Sequence, residues 1–185
     1  THYPPLSENN SVLSLFQDSR GVLWVGTSGY GLYKVNFSSD KQTLSIEKNY
    51  RYDPLNISSI PSDYIYSIHE DLQTHSLWLG SRDGIGIMNM ANEGTFINYK
   101  ESNPEHYLPV REVNTVFRDK NGLMWIGTKG TGVFHADTHA HSFDVLYPRG
   151  NGKFFTDLIS TLYIEENGGH FTEPDQRMIR GFKWV

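Results

Sequence analysis

Apolar and polar residues alternate along this chain in short runs that end at turn residues, a period near two rather than the 3.6 of a helix. Val12-Leu13-Ser14-Leu15-Phe16-Gln17-Asp18 is one such run. Gly21-Val22-Leu23-Trp24-Val25-Gly26-Thr27 and then Gly29-Tyr30-Gly31-Leu32 follow it. The same steps return at Ile65 to Asp71, Leu77 to Ser81 and Gly84 to Ile87, and again at Val113 to Asp119, Gly122 to Thr128 and Gly130 to Val133. Trp24, Trp78 and Trp125 therefore recur at a spacing of about 50 residues, the period of a repeat architecture.

Each repeat predicts four short strands. The first sets an apolar residue, a small hydroxyl and an aromatic or His on one face: Val12, Ser14, Phe16; Ile65, Ser67, His69; Val113, Thr115, Phe117. Its other face carries Leu15, Ile68 or Val116, so burial on both faces is expected. Asp18 to Gly21 and Asp119 to Gly122 read as turns, because Asp bonds its own backbone and Gly accepts positive φ. The Trp-bearing strand comes next, and the Gly-Tyr-Gly and Gly-Thr-Gly steps predict a hairpin into a third strand. Leu44 to Glu47, Phe96 to Tyr99 and Phe143 to Leu146 are the outer strands, and proline-containing connections follow them. No segment reads as an amphipathic helix.

A four-stranded repeat of this length is a β-propeller blade. The expected fold is all-β: one partial propeller over 1–185, with full blades at about 11–52, 63–100 and 111–147 and a degenerate fourth at about 157–185. In that fourth copy Phe171 stands where Trp is expected, and Thr172-Glu173-Pro174-Asp175 replaces the hairpin. One blade cannot cover its own apolar faces, so blades must stack. Trp24, Trp78 and Trp125 suit wedges between neighbouring sheets, and Gly26, Gly80 and Gly127 leave room for the close approach.

Composition narrows the function. Aromatic residues are 14% of the 185 and charged residues 20%, with 17 Gly and 8 Pro, a globular and turn-rich balance. A net charge of -5 implies no basic face, so nucleic acid is not an expected partner. No apolar run approaches the ~18 residues of a membrane span, and no membrane contact by this segment is expected. With no cysteine, disulfides, Cys-ligated zinc and thiol nucleophiles are excluded. The start at Thr1-His2-Tyr3-Pro4 suggests a processed chain or a piece of a longer one.

These residues resemble the two-component regulator propeller repeat: a hydrophobic strand, then Asp-x-x-Gly-x-Leu-Trp-Ile-Gly-Thr, then a Gly-x-Gly hairpin. Asp18 to Thr27 and Asp119 to Thr128 carry it nearly letter for letter, whereas the second copy loses the turn Gly and gains a residue at Gln73-Thr74-His75-Ser76. The resemblance implies the extracytoplasmic, periplasmic sensor region of a Bacteroides-like hybrid histidine kinase. It also implies an oligosaccharide cue that controls polysaccharide utilisation. The kinase, receiver and DNA-binding parts are not in this sequence. Such propellers close with about seven blades, so an arc of this length is expected to be a fragment, or to self-associate through open blade faces.

Candidate chemistry is sparse. Gly26-x-x-Gly29-x-Gly31 has the glycines of a phosphate loop but precedes a strand, not a helix N-terminus. Asp18, Asp71 and Asp119 lie one blade apart and read as turn residues. His135, Asp137, His139 and His141 form a weak metal-like cluster in a stretch where polar residues are expected anyway. Ligands of propellers tend to sit at the mouth built by the hairpins and blade connections. The hairpins offer Tyr30, Arg82, Asp83, Lys129 and Thr131, and the connections Asn56, Tyr107, Arg111 and Arg149. An aromatic face beside cations, such as Tyr30 with Arg82 and Lys129, suits acidic sugars. No cofactor is implied. The leading expectation is a non-enzymatic ligand-binding module. The alternatives are a lyase-type propeller enzyme, for which only His69 stands out, and a truncated interaction module without ligand.

Overall fold

A computed structural model of the chain describes residues 11–37, 43–137, 142–145, 161–165, 168–172 and 178–180. Strands β1 (Val12–Gln17), β2 (Leu23–Thr27), β3 (Leu32–Phe37) and β4 (Leu44–Tyr50) form an antiparallel sheet in chain order. A second sheet holds β5 (Ile65–Asp71), β6 (Ser76–Ser81), β7 (Gly84–Asn89) and β8 (Phe96–Tyr99). A third holds β9 (Val113–Arg118), β10 (Leu123–Thr128), β11 (Val133–Asp137) and β12 (Ser142–Val145). Strands β13 (Thr161–Glu165), β14 (Gly168–Thr172) and β15 (Met178–Arg180) add a three-stranded sheet. There is no helix among the described residues. The strand β1 packs on β5, β5 on β9 and β9 on β13. The first strand of each sheet is thus the inner one, and the sheets fan out as the blades of a partial propeller.

The expected Asp turns do more than turn the chain. One oxygen of Asp18 accepts the N–H groups of Arg20 and Val22 at 3.0 and 2.9 Å, and the other accepts the Trp24 indole N–H at 3.0 Å. Asp119 repeats this with Asn121, Leu123 and Trp125. Burial pushes the Asp18 carboxyl up, but the bonds from Trp24, Val22 and Arg20 outweigh it and hold the group below the usual carboxylate range. The turn thereby fixes the rotamer of the wedge six residues later. In the second blade His75 takes the place of the turn glycine at φ 50, the only positive-φ non-glycine among the described residues. There Asp71 holds Gln73 N–H and the Thr74 hydroxyl, and Trp78 donates instead to Ser76 Oγ at 3.0 Å.

The wedges sit where expected. Trp24 is buried among Ile60, Ile65, Leu77 and Leu79 of the next blade, and Trp78 among Val113, Met124 and Ile126 of the blade after that. Removing ~200 Å² of apolar surface from water contributes about 5 kcal/mol per indole. The glycines make room for this approach. A Cβ on Gly26 would collide with Ser14 Oγ and the Ile65 carbonyl, and one on Gly80 with Ser67 Oγ and the Val113 carbonyl.

One expectation fails. Ile68 and Val116 are 7% and 5% exposed, but Leu15, their equivalent in the first blade, is 65% exposed, with Val12 and Leu13 exposed beside it. The reason is positional. β1 covers this face of β5, and β5 covers that of β9, whereas nothing among the described residues covers that of β1. The inner strands share one further irregularity. Each register shifts near its start, which leaves Leu13, Tyr66 and Asn114 unopposed. Bulges of this kind re-aim a side chain at a rim.

Candidate functional site

The hairpins after β2, β6 and β10 are held by the segments that lead into the inner strands. The Asp63 carbonyl accepts the N–H groups of Gly29 and Gly31 at 3.0 and 2.9 Å, while the next carbonyl, of Tyr64, accepts that of Arg82 at 3.1 Å. One blade later the pattern repeats: the Arg111 carbonyl accepts Gly84 N–H at 2.7 Å, and the Glu112 carbonyl accepts Lys129 N–H at 2.9 Å. Each lead-in is a strap running between two hairpins. Gly31 allows the first such contact, since it has φ 77 and a Cβ there would run into the Tyr50 carbonyl. The straps and hairpins thus lie together at one end of the sheets.

The sequence-derived residues divide on this surface. Arg82, Asp83 and Arg111 come together with Glu101 and Ser102 around a cavity of about 420 Å³. The Arg82 guanidinium lies 5.1 Å over the Tyr64 ring, Asp83 pairs with Lys100 at 3.3 Å, and Arg111 with Glu101 at 3.1 Å. Tyr30 does not join them. Arg51 covers its ring at 5.6 Å and is itself forked onto Asp63 at 3.0 and 2.8 Å. Lys129 pairs with Glu112 at 3.1 Å, and the Thr131 hydroxyl is tied to Thr128 at 2.8 Å. Tyr107 is exposed beside Lys100 and does not line the cavity. Arg149 lies outside the described residues.

Sequence reasoning missed Tyr64, Glu101, Ser102, Glu112 and Tyr66. Tyr66 is the bulged residue of its blade, and burial, then the charge of Glu112, raises its phenol pKa. The available signal was a Tyr where the sister repeats place Leu13 and Asn114.

A second, larger cavity of about 600 Å³ lies at the outer strand of the second blade, lined by Tyr52, Asp53, Asn56, Ile97, Asn103 and His106 among others. Of the sequence-derived residues only Asn56 falls here. The two cavities adjoin: Ser102 lines both, and Lys100 lines the larger one while pairing with Asp83 in the smaller.

The remaining candidates point away from chemistry. His69 sits between the rings of Phe16 and Phe117, at 5.6 and 5.7 Å, and burial, then the charge of Arg118, lowers its pKa. His135 leans on Trp125 at 5.8 Å, with its Nδ1 buried and without a hydrogen-bond partner. Asp137 closes β11, and His139 and His141 lie outside the described residues. No group of three potential metal ligands occurs among the described residues.

Residues 6–29 and 107–130 match the family described as two component regulator propeller. The fold is similar to the extracellular domain of a hybrid two component system from B. thetaiotaomicron, with a TM-score of 0.66 and 18% identity over 96% of this chain and 24% of that one. A second such domain from the same organism gives 0.62 and 14% identity over 89% and 20% of the two chains. PorZ, a surface component of the type-IX secretion system of Porphyromonas gingivalis, gives 0.68 and 20% identity over 91% and 25%. This chain thus spans a quarter or less of the length of each. No curated protein matches it. The expected repeat and blade architecture are both borne out.

Proposed function

We propose that the chain is a non-enzymatic, ligand-binding segment of an extracytoplasmic two-component sensor, and that it takes an acidic oligosaccharide between Arg82 and Arg111. The repeat match and the likeness to extracellular domains support the sensor setting. The observation that carries the ligand class is the pair of guanidiniums on one cavity beside Ser102. The Arg111 side chain is exposed and, among the described residues, is held by the exposed Glu101, and an exposed ion pair of this kind is worth ~0–1 kcal/mol. A ligand carboxylate can therefore replace Glu101 on Arg111 at little cost and gain a forked, charge-assisted contact. Arg82, stacked on Tyr64, presents the second cation already positioned. A non-enzymatic role fits His69, which is flanked by aromatic rings rather than by an acid/base partner.

Thermal shift with a disaccharide carrying one uronic acid, against its neutral analogue, tests this reading. The acidic sugar raises the midpoint, Arg111→Ala removes the rise, and added salt weakens it. A rise of equal size with the neutral sugar, or none with either, sinks it. The bare face of Leu15 supports a second element of the reading, docking against another blade. Sedimentation that shows a folded monomer even at high concentration sinks that element.

A further inference from the structure

The larger cavity belongs to no strap or hairpin, yet it opens onto the smaller one. Its two walls are the segment after β4 and the segment after β8, and one buried residue of β8 ties both, the first through its side chain and the second through its main-chain carbonyl. The side-chain amide nitrogen of Asn98 donates to the Ile57 and Ser59 carbonyls at 3.1 and 2.8 Å, and the Asn98 main-chain carbonyl accepts from the Asn103 side-chain amide at 2.8 Å. Asn103 in turn accepts the Glu105 and His106 N–H groups. Asn56 and Asp53 each accept a backbone N–H from their own wall. The trough is thus set before any ligand arrives, which spares a ligand the cost of ordering it.

Its lining chooses among ligand classes. The edge of β8 already bonds to the walls through Phe96 N–H to the Ser58 carbonyl and through the Asn98 main-chain carbonyl, so an extended peptide meets a strand edge that is partly occupied. The surface instead offers Tyr52 with Lys100 against its ring at 5.7 Å, the Asn56 amide, and the carboxylates of Asp53 and Glu105. An aromatic ring beside amides and acids suits neutral sugar hydroxyls, and Asp53 and Glu105 disfavour a second acidic unit. Asp83 and Glu101 also line the smaller cavity, but Lys100 and Arg111 pair with them there, which leaves the Arg82 guanidinium without a carboxylate partner among the described residues. Volumes of about 420 and 600 Å³ each fall in the range of small-molecule sites, roughly 300–1,000 Å³.

We infer that the two cavities form one groove across the second blade for a linear oligosaccharide longer than a disaccharide, with its acidic unit between Arg82 and Arg111 and its neutral units against Tyr52 and Asn56. The inference rests on the acidic-sugar reading above and adds length and polarity to it. Calorimetry with matched di- and tetrasaccharides, each carrying one terminal uronic acid on a neutral xylose or galactose chain, tests it. The tetrasaccharide should bind at least tenfold more tightly. Tyr52→Ala with Asn56→Ala should erase that gain while leaving disaccharide affinity and the circular dichroism spectrum unchanged. Equal affinity for both lengths, each abolished by Arg111→Ala, overturns the groove and leaves the acidic site standing. A length gain untouched by the Tyr52 and Asn56 variants overturns the groove as well. Binding by no member of the series overturns both readings.

Discussion

Leu15 and Ile68 hold the same position in successive repeats, one strand from the axis, and their surroundings are opposite. Ile68 is 7% exposed beneath the first blade, and Leu15 is 65% exposed with nothing described above it. The backbone register around the two is the same, down to the bulge at Leu13 and Tyr66. What differs is the neighbour. In a stacked array a repeat buries the face of the repeat that follows it, so stability resides in the junctions as much as in the sheets. The first blade gives a junction and receives none among the described residues.

The largest test of that difference is the wedge. Trp24→Ala should lower unfolding free energy in urea by about 3–5 kcal/mol, because the lost ring leaves a cavity between two blades. A loss under about 1 kcal/mol would mean that the blades stack by other means. The direct contrast comes next. Ile68→Ala should cost about 2–4 kcal/mol, and Leu15→Ala should stay within about 0.5 kcal/mol. Equal losses at the two sites would show that the first blade's face is covered in solution. Asp18→Ala should cost roughly 1.5–3 kcal/mol, since it strips the acceptor from backbone and indole donors together, as read by Trp fluorescence during urea unfolding.

The smallest effect is a pH dependence. The folded pKa of His69 is depressed, so below the unfolded value near 6.5 the unfolded chain binds a proton that the folded chain refuses. Stability is therefore full above that value and declines as pH falls through it toward the folded pKa. His69→Phe, which copies Phe16 and Phe117, should flatten the melting temperature between about pH 7 and 5 relative to the parent. An unchanged slope would place the acid sensitivity elsewhere. The carboxyl of Asp18 is also depressed, and its contribution is lost only as pH falls further, below the usual carboxylate range.

The strands, wedges and hairpins were legible in the sequence because each depends on its own repeat: alternation, a bulky indole, a glycine at positive φ. What depends on a neighbour was not. Leu15 has the pattern of a buried residue, and it is exposed because no other described sheet covers its face. Asp18 and Trp24 read as a turn and a wedge, and their bond appears only when β2 folds back along β1. Tyr30 reads as an aromatic face beside Arg82 and Lys129, but neither Tyr30 nor Lys129 lines the cavity with Arg82, and Arg51, from the connection after β4, stacks on the Tyr30 ring. Arg82 and Arg111 lie in different repeats, and the strap that brings them together has no local signature. The outer trough was invisible for the same reason, with Asn56 its one residue noted in advance.

The straps have a mechanical consequence. Arg111 carries Gly84 on its carbonyl, and the adjoining Glu112 carries Lys129. A displacement at this one dipeptide is shared at once by two sheets, which therefore cannot tilt independently. The same kind of link recurs at Asp63 and Tyr64, so neighbouring sheets are tied in series by main-chain bonds rather than by side chains alone.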